Sequence, residues 1–357
     1  MTYKILAINP GSTSTKLALY EHDRRILDHS LNHPSEELSK FDRIIDQYEY
    51  RKDEIIKCLQ DKGVNLEELS AVVGRGGMLP PVEAGAYKIN EEMLNRLKTN
   101  PVIEHASNLG APIAYEIAKP YGILCYIYDP VTVDQLEDIA RITGIPEVKR
   151  VSFNHVLNSR ATAIKAAEKF DRKYEDMRLI VAHIGGGISI CIHNHGRIID
   201  MLADDEGPFA PERAGRIPGK ELINICFSGK YDKKEVTRKM RGNAGLKAHL
   251  GTHDAREVEK MIEEGDKNAG LIYEAMAYQI SKGIGEMATV VKGKVDVIIL
   301  TGGIAYSKMM TDMRKERVEF IAPVEIMAGE NEMESLAFGT LRVLKGEEVA
   351  REYKEVL

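Results

Sequence analysis

Short apolar runs bounded by turn formers recur along the chain. Residues 3–8 and 17–20 each read as a strand, and the small-residue stretch Asn9-Pro10-Gly11-Ser12-Thr13-Ser14-Thr15-Lys16 lies between them. The pattern therefore predicts a β-hairpin with this stretch at its tip. Residues 35–62 read as largely helical and charged, ended by Gly63, and Asn65 is expected to cap a short helix with Glu68 at the capping-box position. Residues 71–73 form a strand that runs into Gly74-Arg75-Gly76-Gly77. A helix follows over 111–119, then a strand over 123–128 closed by Asp129-Pro130, and a helix over 155–170.

The opening pattern then returns. Residues 179–184 read as an apolar strand, Gly185-Gly186-Gly187 as a turn and 189–192 as an outgoing strand. A strand, glycine-rich turn and strand occurring twice suggest a duplicated domain. A long helix over 270–291 places Ile280, Ile284, Met287 and Val291 on one face. The continuous apolar run 295–300 has the character of a buried central strand and ends in Thr301-Gly302-Gly303-Ile304. A further strand is expected over 318–321, with helix from Glu334 onward.

Composition narrows the functional classes. The 357 residues are 43% hydrophobic and 29% charged, enough for two buried cores. A net charge of −6 argues against a nucleic-acid partner. No apolar run is long enough to span a bilayer, and residues 1–8 are too short for a secretory signal. The four cysteines are scattered without a Cys-x-x-Cys, as expected for reduced thiols in a cytoplasmic protein.

Three glycine-rich turns directly follow apolar strands: after Ile8, after Ile184 and after Leu300. Ligands of open α/β sheets collect at such strand ends, where glycines let backbone N–H groups approach an anion. The first turn has hydroxyls and a lysine, but it is not a P-loop, which must open a helix. Phosphoryl transfer also needs fixed positive charge, and Arg75 and Arg213 both lie in glycine- and proline-containing loops. The glycines around Arg75 are expected to leave room for a ligand. His105, His155 and His183 flank strand ends or loops and are candidate donors to a phosphoryl group. None of these three forms a His-x-x-x-His pair, so none of them points to zinc. Asp129 and the acidic run 330–334 could serve Mg²⁺, or could equally be a turn cap and a helix start.

Five motifs, in order, carry a resemblance that spans the chain. They are Asn9-Pro-Gly-Ser-Thr-Ser-Thr-Lys16, Val73-Gly-Arg-Gly-Gly77, His105-Ala-Ser-Asn-Leu109, Gly207-Pro-Phe-Ala-Pro-Glu-Arg213 and Leu300-Thr-Gly-Gly-Ile-Ala-Tyr306. Together they resemble the butyrate kinases, which belong with the acetate kinases in the acetokinase family of the actin-like ATPase superfamily. The resemblance implies an α/β fold of two duplicated ribonuclease H-like domains with a central cleft. It places an acyl-substrate and phosphate-loop domain at 1–150 plus about 335–357, and a nucleotide-binding domain at 151–334.

It also implies roles. Asn9, Ser12, Ser14 and Lys16 would form the first phosphate loop. Arg75 would hold the acyl carboxylate or the phosphoryl group, and Arg213 the transition-state phosphate. His183 with Gly185, Gly186 and Gly187 would form the second hairpin, and Gly302 with Gly303 would lie near the adenosine. Asp129, Asn9 and one of Glu332 or Glu334 would sit near Mg²⁺. The phosphate-contacting residue before the 155–170 helix is either Asn154 or His155. Gly186 stands where acetate kinases have Asn, and Ala71 where they have Arg, which moves the chain toward butyrate-type specificity.

The implied reaction is ATP plus a short-chain fatty acid giving ADP and an acyl phosphate, reversibly and by direct in-line transfer with domain closure. A carboxylate with a pKa of roughly 4.3 is already ionised at pH 7 and needs no general base. A homo-oligomer is the family expectation. The alternatives are a kinase of the same fold for acetate, propionate or a hydroxyl substrate, or a nucleotide-binding structural member of the superfamily.

Overall fold

Strand order repeats within the chain. In the computed structural model, which describes residues 2–355, the strands are β1 (Lys4–Pro10), β2 (Ser14–Glu21), β3 (Arg24–Asn32), β4 (Ala71–Arg75), β5 (Ala86–Lys88), β6 (Leu124–Tyr128), β7 (Arg178–Ile184), β8 (Ile188–Asn194), β9 (Arg197–Leu202), β10 (Val297–Gly302), β11 (Val324–Ala328) and β12 (Arg351–Glu352). The chain divides into one compact unit of Met1–Asp134 with Asn331–Leu357 and another of Gln135–Glu330. The first division falls upstream of residue 150.

The first unit holds the sheet β12-β5-β6-β4-β1-β2-β3, and the second holds β11-β10-β7-β8-β9. The segment β3-β2-β1-β4-β6 matches β9-β8-β7-β10-β11 in order and direction. In both, three antiparallel strands are followed by parallel neighbours on the other side of the first strand. Even the irregularity repeats, with register shifts at Leu19/Tyr20 and Ile192/His193. Duplication of the actin-like ATPase fold is therefore visible in the connectivity itself.

The central strands are apolar on both faces because helices cover them. Ile5, Leu6, Ala7 and Ile8 are fully buried, as are Ile298, Ile299 and Leu300. In the second unit the helix Lys267–Val290 begins at Asp266, whose carboxylate accepts from the Asn268 and Ala269 N–H groups. Its Ile280, Ile284 and Met287 face the core, each worth about 1.5–3 kcal/mol of burial. In the first unit the helix Glu332–Lys345 packs on β1, β4 and β6 through Leu336, Ala337 and Leu341.

Several expected elements move. The run 318–321 is not a strand: a helix spans Lys308–Val318, and the strand is β11. Val318 is apolar because it closes the buried face of that helix. Segment 35–62 is interrupted, with helix at Ser35–Leu38 and Tyr48–Asp61. Asn65 does cap a turn, accepting from Glu67, but the turn is 3₁₀. Strands β3 and β9 were not foreseen. β3 alternates exposed and half-buried residues, with Leu27 and Leu31 packed on the core, as an edge strand does.

Candidate active site

The first glycine-rich turn is the tip of the β1–β2 hairpin, as the pattern predicts. Asn9 pairs with Lys16 and Pro10 with Thr15, and the Gly11 N–H donates to the Ser14 carbonyl at 2.7 Å. Ser12 and Lys16 are exposed and Ser14 half-buried. Asn9 Nδ2 donates to Glu332 Oε2 at 2.6 Å, and Glu332 Oε1 lies 3.2 Å from Arg75 Nη1. Glu332 opens its helix, so one carboxylate joins the end of β1, the end of β4 and a helix start. Glu334 is two residues further along the same first turn. Burial first, and then the Arg75 charge, push the His105 imidazole below its usual range. Its Nδ1 is 2.8 Å from Ser107 Oγ.

The glycines around Arg75 serve packing, which corrects the expectation that they leave room for a ligand. A Cβ on Gly74 would lie 2.2 Å from the Gly110 carbonyl oxygen, one on Gly76 2.4 Å from Pro130 Cβ, and one on Gly77 2.7 Å from Leu97. They let the backbone cross closely behind Arg75. Asp129 is buried, with φ of 40° and Oδ1 accepting from the Gly85 N–H at 2.7 Å. Aspartate tolerates this left-handed conformation better than most residues.

In the second unit, Gly185 N–H donates to the Gly187 carbonyl and closes the β7–β8 turn, while a Cβ on Gly186 would meet open space. His183 is buried at the end of β7. Its Nδ1 is 2.9 Å from Asn158 Oδ1 and its Nε2 3.0 Å from Glu330 Oε1. The His155 ring stacks on it with centroids 3.9 Å apart, and His155 Nδ1 is 3.0 Å from Ser189 Oγ. Asn154 turns its amide to Met201 Sδ instead. Gly302 has φ of 90°, and a Cβ there would lie 2.5 Å from the Ile184 carbonyl oxygen, whereas Gly303 faces open space. Two of the three glycine-rich turns thus meet at neighbouring strand ends.

Arg213 is aimed by Asp204, whose Oδ2 accepts from Arg213 Nε at 3.2 Å while Oδ1 accepts from Arg241 Nη2 at 2.6 Å. Asp204 Cβ is also 3.9 Å from a Cβ position on Gly187. Sequence reasoning missed Asp204, Arg241 and Asn158, and placed Glu330 only within the acidic run 330–334. Of those missed, only Asp204 carried a signal, as the first residue of the acidic run before Gly207. Among the described residues no three His, Cys, Asp or Glu side chains cluster as a metal site.

The acetokinase family model matches residues 149–340. A butyrate kinase 2 from Clostridium acetobutylicum is 51% identical over 99% of this chain and 100% of its own length. The chain belongs to the acetokinase family. The resemblance read from its five motifs is borne out. Among solved structures, the acetate kinase of Porphyromonas gingivalis superposes with a TM-score of 0.81 at 21% identity, covering 96% of this chain and 100% of that one. A propionate kinase from Francisella tularensis reaches 0.73 at 17% identity over 94% and 98%. At these identities the likeness concerns the fold, and the acetokinase architecture it supports is the duplicated one described above.

Proposed function

We propose that the chain transfers the γ-phosphoryl group of ATP to the carboxylate of a short-chain fatty acid, butyrate or a branched analogue. It is an enzyme, a phosphotransferase with a carboxyl group as acceptor. The observation that carries this reading is the 51% identity with a butyrate kinase across nearly the whole chain. The residue types support it, because Lys16, Arg75 and Arg213 supply the positive charge that joining two anions requires.

The two units divide the labour in this reading. The first, with Asn9, Ser12, Ser14, Lys16 and Arg75, takes the acyl substrate and the phosphoryl group. The second, with His183, Gly185, Gly186, Gly187, Gly302 and Gly303, takes the nucleotide, with Arg213 and His155 at the phosphoryl group. Mg²⁺ would be held by the half-exposed Glu332 carboxylate, which here meets Asn9 Nδ2 and Arg75 Nη1, with phosphate oxygens and water completing its shell. When bound, the ion would neutralise phosphate charge. Asp129 would act at one remove, since its carboxylate is tied to the Gly85 backbone. No residue need take a proton from the substrate, so transfer is direct and forms no phosphoenzyme.

A homo-oligomer is part of the proposal. Ile139, Ile142, Ile145, Val148 and Val151 are all more than half exposed on one short segment, a surface that association would cover. Light scattering on the purified protein tests this. No described helix is long and apolar enough to cross a membrane, and we place the enzyme in the cytoplasm.

The deciding experiment compares kcat/KM for acetate, propionate, butyrate, isobutyrate and a polyol panel. Highest values for four-carbon acids are expected. Phosphorylation of a polyol in preference to every acid would overturn the reading.

A further inference from the structure

The tip of the first hairpin rests on an arginine that no motif singled out. Arg51, on the helix Tyr48–Asp61, is fully buried. Its Nη1 donates to the carbonyls of Gly11 (2.7 Å) and Ser14 (3.3 Å) and to Thr15 Oγ1 (3.3 Å), and its Nη2 donates to the carbonyl of Ser12 (2.8 Å). Gln47 Oε1 accepts from Nε and Nη2 at 3.1 and 2.8 Å. The planar fork thus gathers three backbone carbonyls of one short loop.

Two consequences follow. A trans peptide holds its C=O and the next N–H antiparallel. With the Gly11 and Ser12 carbonyls drawn onto Arg51, the Ser12 and Thr13 N–H groups point the opposite way. Neither has an acceptor among the described residues, and both residues are exposed. The second consequence is electrostatic. No Asp or Glu pairs with Arg51 among the described residues, so its charge is balanced only by neutral dipoles. Burial lowers its pKa to about 10, which leaves it cationic at pH 7. An uncompensated buried cation is costly, and an anion held on the other side of the loop offsets part of that cost.

We propose that Arg51 is the positioning residue of the phosphate-facing loop: it turns the loop's carbonyls inward, so that the Ser12 and Thr13 N–H groups and an unpaired positive charge face the phosphoryl anion. This rests on the reading of residues 9–16 as a phosphoryl-holding loop. Arg51 touches no reacting atom and acts through the backbone it holds.

The test uses the full chain and the variants Arg51→Met, Arg51→Lys and Ile55→Ala. The last is a fully buried residue of the same helix and serves as a stability control. Hydrogen–deuterium exchange of a peptide covering 9–16 and steady-state kinetics are read together. Arg51→Met should speed exchange in the loop but not in 179–192, and lower kcat about 100-fold with KM for ATP within about twofold. Arg51→Lys, which keeps the charge without the fork, should recover about tenfold of the kcat while loop exchange stays fast. Ile55→Ala should lower the melting temperature and leave kcat unchanged. If Arg51→Met does not fold, Arg51→Lys decides by the same two readouts. Parental loop exchange, a kcat within threefold of the parent, or an equal kcat loss in Ile55→Ala overturns the inference. A parent that phosphorylates no carboxylate overturns the functional reading instead, and the loop exchange then still judges Arg51.

Discussion

His155 and His183 lie ring on ring, their planes 12° apart, although they come from different elements: one precedes a helix and the other ends a strand. His183 Nδ1 is 2.9 Å from Asn158 Oδ1, which fixes the ring as a floor for His155, and its Nε2 lies 3.0 Å from Glu330 Oε1. Replacing His155 by Ala is expected to lower kcat by about 10²–10³, the scale of one transition-state donor. Ser189→Ala, which removes the partner of His155 Nδ1, should cost less, about tenfold. Coupled-assay kinetics on both variants check the order, and equal losses would contradict it.

Arg213 and Arg241 share Asp204. In the proposed reaction Arg213 is the planar cation at the transferring group, so Arg213→Ala should lower kcat about 10³-fold. Stability should barely change, since Arg241 keeps Asp204 paired. Thermal melts and kcat are compared, and a near-normal kcat would remove Arg213 from the chemistry.

Glu332 is the carboxylate common to Asn9 and Arg75. Glu332→Gln keeps the size and one hydrogen bond but removes the charge. The Mg²⁺ concentration for half-maximal rate is expected to rise about tenfold or more. Titration of activity with Mg²⁺ at fixed ATP measures it, and an unchanged midpoint would place the ion elsewhere.

Gly74→Ala tests the packing role directly. The added methyl meets Gly110 backbone at 2.2 Å, so β4 or the helix Gly110–Ala118 must shift. A loss of about 3 kcal/mol or more is expected in urea unfolding. Gly186→Ala, in open space, should leave stability within about 0.5 kcal/mol.

Acid should weaken the fold through His33. Its Nε2 bonds Thr15 Oγ1 at 2.8 Å, and burial, then the Arg51 charge, lower its pKa to about 4. The unfolded ring takes a proton near pH 6.5. Between the two values the unfolded chain binds more protons, so stability falls as pH drops through that window and levels below it. Calorimetry from pH 7.5 to 4 should show this decline, and His33→Gln should flatten it relative to the parent.

The sequence disclosed the repeat because hairpin, glycine turn and central strand are local patterns. Both hairpins, the long helix and the strand ending at Gly302 were legible for that reason. Strand β3 was not, since its half-exposed edge dilutes the apolar signal, and β9 was passed over although Ile198, Ile199, Met201 and Leu202 are buried apolar residues. The run 318–321 misled because an apolar helix end and a short strand share one composition. Within the site, residues inside motifs were readable, while Arg51 and Asp204 were not, and Glu330 was read only as part of an acidic run. Their roles come from contacts across tens of residues, and an arginine in a charged helix looks like any surface arginine until its burial is known. The glycines beside Arg75 were noticed for a wrong reason: sequence shows that a side chain is missing, not which neighbour needs the space.

The first unit is built from two segments with the whole of the second between them. On the ribosome, Gln135–Glu330 is translated before the helix Glu332–Lys345. Until then β1, β4 and β6 lack the helix that covers them, and Asn9 and Arg75 lack Glu332. A nascent chain stalled before residue 331 would therefore leave the apolar strands β1, β4 and β6 uncovered and Asn9 and Arg75 without the carboxylate they share.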